Sequence, residues 1–383
     1  MDYWLLLLVL SAILIGWIIG RWNPLARNSS GSTTGIFSDS YVKGLNYLLS
    51  NDSNKAIGIF TELIEVNNDT IEIHITLGNL FRSKGEVDRA IKVHQNLLAR
   101  PNLTKKQRNL VISELANDYL KAGLLDRAEK LFKEMIQLKT DDMMAYHQLL
   151  DIYITEKSWH EAIDCARILY DRGEPDASVI YSQCLCEVAE NAISQGKNKV
   201  ARESLAKAIE VDKNCVRATL LLINLHLDAK GIPAAQKLLK RLIKLNPEYM
   251  ELYINPARKI YLRGKESNGY QDFLKQQYQL YPSTRLAMAL LEYYVEQNQI
   301  EKARLFLSEV LKSSPSFESF EFALRFLKSD PDHLSETWAS LSLFLKMMHN
   351  KKIEFTCSKC GYESHVIEWN CPSCKSWVSM KPV

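Results

Sequence analysis

The hydrophobic positions of residues 37–350 follow a helix-turn-helix pattern that recurs about every 34 residues. In each copy a small residue lies midway along the first helix, and an aromatic residue follows three positions later. Alanine comes early in the second helix, often with proline at its end. The residues that carry the pattern are, copy by copy, Gly44, Tyr47, Ala56 and Phe60; Gly78, Phe81, Gly85 and Ala90; Ala116, Tyr119, Gly123, Ala128 and Phe132; Leu150, Tyr153 and Ala162; Ala189, Gly196 and Ala201; Ala235 and Pro247; Tyr261 and Pro282; Tyr294, Ala303 and Pro315.

This repeat pattern is typical of tetratricopeptide arrays, and it predicts eight helix pairs with residues 317–350 as a ninth, degenerate pair. Small residues allow the two helices of a pair to approach closely, and aromatic residues fill the spaces between pairs. The fifth and seventh copies match the pattern least well. Because no pair buries its apolar face alone, stacked pairs build one continuous core and a superhelix with a concave face. We therefore predict an all-α fold.

The N-terminal residues 3–20 contain no charged side chain and are long enough to cross a bilayer core of about 30 Å. The start of the chain lacks a basic segment and a small-residue cleavage site, which favours an uncleaved anchor over residues 1–22. Basic residues follow the span, so the positive-inside rule predicts a single-pass protein with a periplasmic N-terminus and a cytoplasmic C-terminal part. Residues 23–36 are rich in Ser, Thr, Gly and Asn and are expected to form a flexible linker.

The C-terminal residues 351–383 contain two C-x2-C pairs separated by ten residues. Four thiolates at this spacing predict a tetrahedral metal site of zinc-ribbon or rubredoxin type, with every ligand supplied by the protein. The predicted ligands are Cys357, Cys360, Cys371 and Cys374. A site closed in this way is typical of a structural metal, and the donor set suits either zinc or iron. Disulfide and thiol-redox roles are the alternatives.

The remaining cysteines have no such spacing, and we interpret them as buried, inert thiols: Cys165, Cys184, Cys186 and Cys215. Around the metal site, aromatic residues are expected to pack the small module or to dock it on the last helices. These residues are Phe355, Tyr362, Trp369 and Trp377.

Composition and motifs argue against catalysis and against binding of nucleic acid. The chain has 46% apolar and 24% charged residues and a net charge of only +3, so it lacks the basic excess of a phosphate-binding surface. Phosphate-binding loops, nucleophile elbows and metalloprotease motifs do not occur in the sequence. We therefore predict a protein-binding surface and no enzyme.

Polar residues that follow the small mid-helix positions are expected to line the groove of the array. They are Asn79, Asn117, Asp151, Glu190 and Asn224. Because an asparagine amide both donates and accepts, the three asparagines could bond the backbone of an extended partner peptide. The alternative is that they are ordinary polar residues of the groove.

The combination of anchor, repeats and metal module resembles the lipopolysaccharide assembly protein B (LapB) family of Gram-negative bacteria. The resemblance covers essentially the whole chain and is most specific at the tail, in the four cysteines with Gly361, Trp369, Pro372 and Trp377 and in the Lys-Pro-Val terminus. It implies that the tail is a rubredoxin-like module that caps the array or joins its groove.

The resemblance also implies a function at the inner membrane. Proteins of this family act as adaptors for the FtsH protease and promote degradation of LpxC, the deacetylase that commits precursors to lipid A. A YejM/PbgA-type inner-membrane protein restrains them. Separately from the resemblance, a homodimer is a candidate assembly for this chain. Two alternatives are a scaffold for lipopolysaccharide assembly with no role in proteolysis, and an electron-transfer protein with a redox-active iron.

Overall fold

The computed structural model describes residues 40, 42–44, 46–47, 50, 52–66, 71–138, 143–264, 267–313, 316–327 and 353–382. The predicted anchor and linker, and the part of the predicted ninth pair after residue 327, lie outside the described residues. Among the helices of the described ranges, none combines the length and the apolar character needed to cross a membrane.

The described chain is mostly helical, and the helices follow one another in pairs joined by short turns. Residues 42–44 and 46–47 are helical and precede α1 (Ser53–Val66). The later pairs are α2 (Ile71–Ser83) with α3 (Val87–Leu98), α4 (Lys105–Lys121) with α5 (Leu125–Gln137), α6 (Met143–Glu156) with α7 (Trp159–Asp171), α8 (Ala177–Ser194) with α9 (Asn198–Val211), α10 (Val216–Asp228) with α11 (Ile232–Leu245), α12 (Met250–Arg263) with α13 (Ser267–Leu280), and α14 (Thr284–Glu296) with α15 (Ile300–Ser313). A 3₁₀ turn, Pro247–Tyr249, precedes α12, and α16 (Phe317–Leu327) follows the last pair. The predicted repeat of helix pairs is confirmed.

Alanine at one fixed position explains how closely the helices of a pair approach. The fourth residue of seven second helices is an alanine that is fully buried: Ala56, Ala90, Ala128, Ala162, Ala201, Ala235 and Ala303. A methyl group there lets the neighbouring first helix pack directly against the backbone.

The seventh pair departs from this rule, at the copy where the sequence pattern is weak. The fourth residue of α13 is Tyr270, which is only 2% exposed. Its ring lies 6.3 Å from the ring of Tyr261, 6.4 Å from that of Phe273 and 5.5 Å from that of Tyr293, measured between centroids. An aromatic cluster thus replaces the close helix approach of the other pairs.

The turns within helix pairs contain residues with positive φ, in the left-handed region of backbone conformation. Gly85 has φ 81° and allows the chain to leave α2 and enter α3 at once. There the amide of Glu86 donates to the carbonyl of Phe81 at 2.9 Å, which satisfies one of the last carbonyls of the helix. Lys157 and Lys230 adopt the same conformation, with φ 58° and 59°, although neither is glycine.

The chain forms two compact units, Met1–Ala145 and Tyr146–Val383. The core of the first unit joins residues from α1, α2 and α3, including Phe60, Leu77 and Phe81. The core of the second unit runs continuously from α10 to α16. In the second unit the first helices α8, α10, α12, α14 and α16 pack on one another in succession. We call the surface formed by these five helices the first-helix face.

The C-terminal residues form a small three-stranded sheet. Its strands are β1 (Phe355–Cys357), β2 (Glu363–Ser364) and β3 (Met380–Pro382), in the order β2-β1-β3 with antiparallel pairing. Phe355 pairs with Ser364 on one side and Pro382 on the other. Phe355 and Cys357 are therefore on the same side of the sheet, and both are buried.

Candidate metal centre and the adjoining cleft

Four cysteine thiols converge at one point of the C-terminal module. The Sγ atoms of Cys357, Cys360, Cys371 and Cys374 all lie within 4.8 Å of one another. Cys357 Sγ is 3.7 Å from Cys374 Sγ, and Cys360 Sγ is 3.7 Å from Cys371 Sγ. A tetrahedral metal with bonds of about 2.3 Å to sulfur holds its ligands about 3.8 Å apart. The predicted ligand set therefore fits one zinc or iron ion, and the four cysteines form a rubredoxin-like metal-binding site.

Backbone turns hold the first pair of thiols in position. Cys357 lies at the end of β1, and its amide donates to the carbonyl of Tyr362 at 2.8 Å. Gly361 has φ 75°, and its amide donates to the carbonyl of Cys357 at 2.9 Å. The glycine is needed because the turn that brings Cys360 back towards Cys357 passes through the left-handed region.

The second pair of thiols is held by an equivalent turn. The amide of Cys371 donates to the carbonyl of Ser376 at 3.0 Å, and the amide of Lys375 donates to the carbonyl of Cys371 at 2.9 Å. Lys375 has φ 58° and so takes the place that Gly361 has in the first turn. The sequence gives no sign of this conformation, because lysine rarely adopts it.

Hydrogen bonding and burial act differently on the four thiols. The hydroxyl of Ser379 lies 3.2 Å from the Sγ of Cys357. Its hydrogen bond with the sulfur lowers the pKa of this thiol to about 6. A hydrogen bond from the Ser376 side chain lowers the pKa of Cys374. Burial raises the pKa of Cys371 to about 11. Part of the site is thus thiolate at neutral pH, and a bound metal must displace the proton of Cys371.

Charged and aromatic contacts seat the module on the first-helix face. The Nζ of Lys381 donates to the hydroxyl of Tyr249 at 2.7 Å and lies 3.7 Å from a carboxylate oxygen of Glu248. The rings of Trp369 and Tyr249 are 6.5 Å apart between centroids. Arg285, on α14, forms a salt bridge with Glu354 just before β1. The module therefore lies beside α12 and α14.

Apolar contacts also hold the module against the second unit. Phe355, Cys371 and Met380 are buried in the module, and Leu252 of α12 packs against them together with Ile367. Ile367 also packs against the core of the second unit, as Trp369 does. In the second unit the module therefore packs beside α12 and α14.

The four aromatic residues expected around the metal site fall into different environments. Phe355 is 5% exposed and belongs to the module core, whereas Trp369 contacts Tyr249 of the second unit. Trp377 is half-buried and pairs with Asn370 in an isolated β-bridge. Tyr362 is 37% exposed and contributes its carbonyl to the first turn.

The residues expected to line the groove are distributed over both units. Asn79 and Asn117 lie on α2 and α4 of the first unit, and Asp151 and Asn224 lie on α6 and α10 of the second. The Oδ1 atom of Asn79 is buried without a hydrogen-bond partner among the described residues. An asparagine ladder across both units stays a prediction.

A cleft of about 310 Å³ lies where the module meets the first-helix face. Glu190 and Asn224 line it from α8 and α10, and Ile367 and Trp369 line it from the module. Sequence reasoning missed its α12 residues, among them Lys259. One signal was present in the sequence, because Pro256 lies inside the helical pattern of α12, where proline is rare.

The other four cysteines are buried in the second unit, as predicted. Burial raises the pKa of Cys184 to about 12, which keeps this thiol protonated and unreactive. Cys186 Sγ and Cys215 Sγ lie 3.9 Å apart in the same interior.

Fold and site together define a tetratricopeptide-repeat protein with a C-terminal rubredoxin-type metal module. The description "rubredoxin metal binding domain" matches residues 355–382, and the tetratricopeptide repeat model matches residues 74–107. Lipopolysaccharide assembly protein B of Haemophilus influenzae is 33% identical over 393 residues, covering 99% of this chain and 98% of that protein. The protein of the same name from Escherichia coli K12 is 30% identical over 382 residues, covering 99% and 97%. The chain belongs to the lipopolysaccharide assembly protein B family.

Solved structures of repeat proteins are more distant. YrrB, described as a tetratricopeptide-repeat protein with an unusual peptide-binding site, is 17% identical, with a TM-score of 0.34. The match covers 54% of this chain and 97% of YrrB.

Proposed function

We propose that this protein is a non-catalytic inner-membrane adaptor that regulates lipopolysaccharide synthesis. In this role it binds an LpxC-type deacetylase and an FtsH-type membrane protease and promotes degradation of the deacetylase. Family membership over nearly the full length supports a role in lipopolysaccharide assembly. The proteolytic part of the proposal follows from the resemblance found in the sequence.

The observation that carries the adaptor role is the seat of the metal module on the first-helix face. Contacts from Lys381 to Tyr249 and from Arg285 to Glu354 join the two parts, so that both face one cleft. Repeat arrays bind partners along such extended surfaces, and a module fixed beside them adds a second wall. Binding of a partner requires no reactive group there.

Residues 3–20 place the adaptor in the membrane in this proposal, with its C-terminal part in the cytoplasm. Anchoring keeps the adaptor beside a membrane-bound protease and raises their effective concentration without any new contact. A YejM/PbgA-type inner-membrane protein is the proposed regulator. Nucleic acid is not a proposed partner.

The metal, zinc or iron, has a structural role in this proposal. Cys357, Cys360, Cys371 and Cys374 would hold it, and it would supply the folding energy that the small module lacks. All four ligand positions are filled by the protein, which leaves none for a substrate.

The test is the lifetime of the deacetylase after protein synthesis is blocked, in cells with and without this protein. The proposal predicts a longer lifetime without it. An unchanged lifetime would contradict the proteolytic role and favour a scaffold for lipopolysaccharide assembly.

A further inference from the structure

The cleft beside the metal module is made from two distant parts of the chain. Leu220 on α10 and Leu252 on α12 form apolar parts of its lining, and Ile367 and Trp369 of the module line it as well. Its volume of about 310 Å³ is at the small end for ligand sites, which suits a few residues of an extended chain.

Two asparagines line the cleft with side-chain amides that have no hydrogen-bond partner among the described residues. The side chains of Asn224 and Asn255 are exposed and make no hydrogen bond with the described residues. Each amide offers both donors and an acceptor. These are the groups that recognise a peptide bond, which also donates once and accepts once.

Pro256 also lines this surface. It lies inside α12 and has no N–H, so it cannot donate the usual helical hydrogen bond to the carbonyl of Leu252.

Charge in the cleft is uneven. Arg217 donates to Glu190 at 3.0 Å and to Glu187 at 2.8 Å, so two carboxylates more than balance its charge and this end of the cleft does not attract a further carboxylate. Lys259 is exposed, lines the cleft and has no carboxylate partner among the described residues. It lies one helical turn beyond Asn255, and it therefore favours a carboxylate at this end of the cleft.

We propose that this cleft binds an extended segment of the client protein, with a large apolar side chain against Trp369 and an acidic group near Lys259. This inference rests on the proposed function for the identity of the client. The side-chain amides of Asn224 and Asn255 complement a peptide backbone. A glycolipid with several acyl chains matches neither these groups nor the volume.

The experiment uses the full chain, purified with its metal, and short overlapping fluorescent peptides that cover the deacetylase sequence. Fluorescence anisotropy measures their dissociation constants. The cleft variant combines Asn255→Ala with Lys259→Glu, both at exposed positions, so the core is left unchanged. The matched control combines Asn191→Ala with Lys197→Glu, at exposed positions of another shallow cavity of the second unit.

We expect at least one peptide with the stated pattern to bind, and the cleft variant to weaken it by about tenfold or more. The control should bind as the unchanged protein does. Equal binding by the cleft variant, or no binding by any deacetylase peptide, would overturn the inference. Binding of anionic lipid vesicles that is lost in the cleft variant, with no peptide bound, would assign the cleft to lipid and overturn it as well.

The lifetime of the deacetylase in cells separates this inference from the proposed function. If removal of the protein lengthens the lifetime while the cleft variant restores normal degradation, the adaptor role stands and the cleft inference fails. If removal has no effect, the adaptor role fails, and the peptide titration alone decides on the cleft.

Discussion

The metal module and the helix pairs of the second unit are stabilised in opposite ways. The module buries only a small cluster around Phe355, Cys357, Cys371 and Met380, and its four thiols meet at one point. The helix pairs share a continuous core from α10 to α16, to which many residues contribute a little each. A few residues therefore specify the module completely, whereas the array depends on a pattern that tolerates exceptions such as Tyr270.

Loss of one metal ligand is expected to have the largest effect, and it should affect the module but not the helix pairs. In Cys371→Ser we expect loss of the metal and unfolding of the module, because zinc binding supplies roughly 10–16 kcal/mol in small zinc-dependent peptides. The helical signal in circular dichroism should remain. Metal analysis and protease digestion of the purified protein would measure both effects.

Cys184→Ala is the matched control, since Cys184 is buried among helices and is remote from the metal ligands in sequence. It should keep its metal. A Cys371→Ser protein that retained a full equivalent of metal would contradict the ligand assignment.

The aromatic cluster of the seventh pair offers the next largest effect. Tyr270→Ala introduces the residue that seven other pairs use at this position, yet we expect it to cost about 3–5 kcal/mol, because it leaves a cavity among three rings. Hydrogen exchange of the α12–α14 segment would report the loss. Tyr270→Phe keeps the ring and should cost much less; equal losses in the two variants would rule out the packing explanation.

Gly78 tests whether a small residue is needed in the first unit. A methyl group at this position would lie 2.3 Å from the His94 ring, so Gly78→Ala should destabilise α2 and α3 by about 1–3 kcal/mol. Gly58 is the control: a methyl group meets no atom within 4 Å there, and Gly58→Ala should stabilise α1 by about 0.5–1 kcal/mol. Hydrogen exchange of residues 53–98 compares the two variants, and a neutral Gly78→Ala would show that His94 moves freely.

The pH dependence of metal binding is the smallest expected effect. It distinguishes the metal module, which depends on thiolates, from the helix pairs, which do not. Burial raises the pKa of Cys371 to about 11, so at pH 7–8 this thiol holds a proton that the metal must displace. Metal affinity should therefore rise with pH, by about tenfold per unit for one proton. Competition titrations with a chelator at several pH values measure this slope. A flat profile would show that Cys371 is already a thiolate.

Local patterns were sufficient to predict much of this structure. The four ligands are recognisable because one turn sets each C-x2-C pair. The buried alanines are recognisable because seven helix pairs repeat the same contact. Neither prediction needs knowledge of distant residues.

The seat of the module and its cleft could not be predicted in the same way. Lys381 meets Tyr249 across 132 residues of sequence, and no local pattern encodes that contact. The left-handed conformation of Lys375 is likewise imposed by the metal-site turn, against the preference of lysine. Pro256 is the cleft residue that stands out in the sequence, because proline is rare inside a helix such as α12.

The central claim is that the metal module and the repeats act as one adaptor, and the most direct measurement is the deacetylase lifetime in cells that carry either Cys371→Ser or Cys184→Ala. We predict that Cys371→Ser lengthens the lifetime as much as removal of the whole protein does. Cells with Cys184→Ala should degrade the deacetylase at the normal rate. Normal degradation with a metal-free Cys371→Ser protein, present at the usual level, would contradict the account.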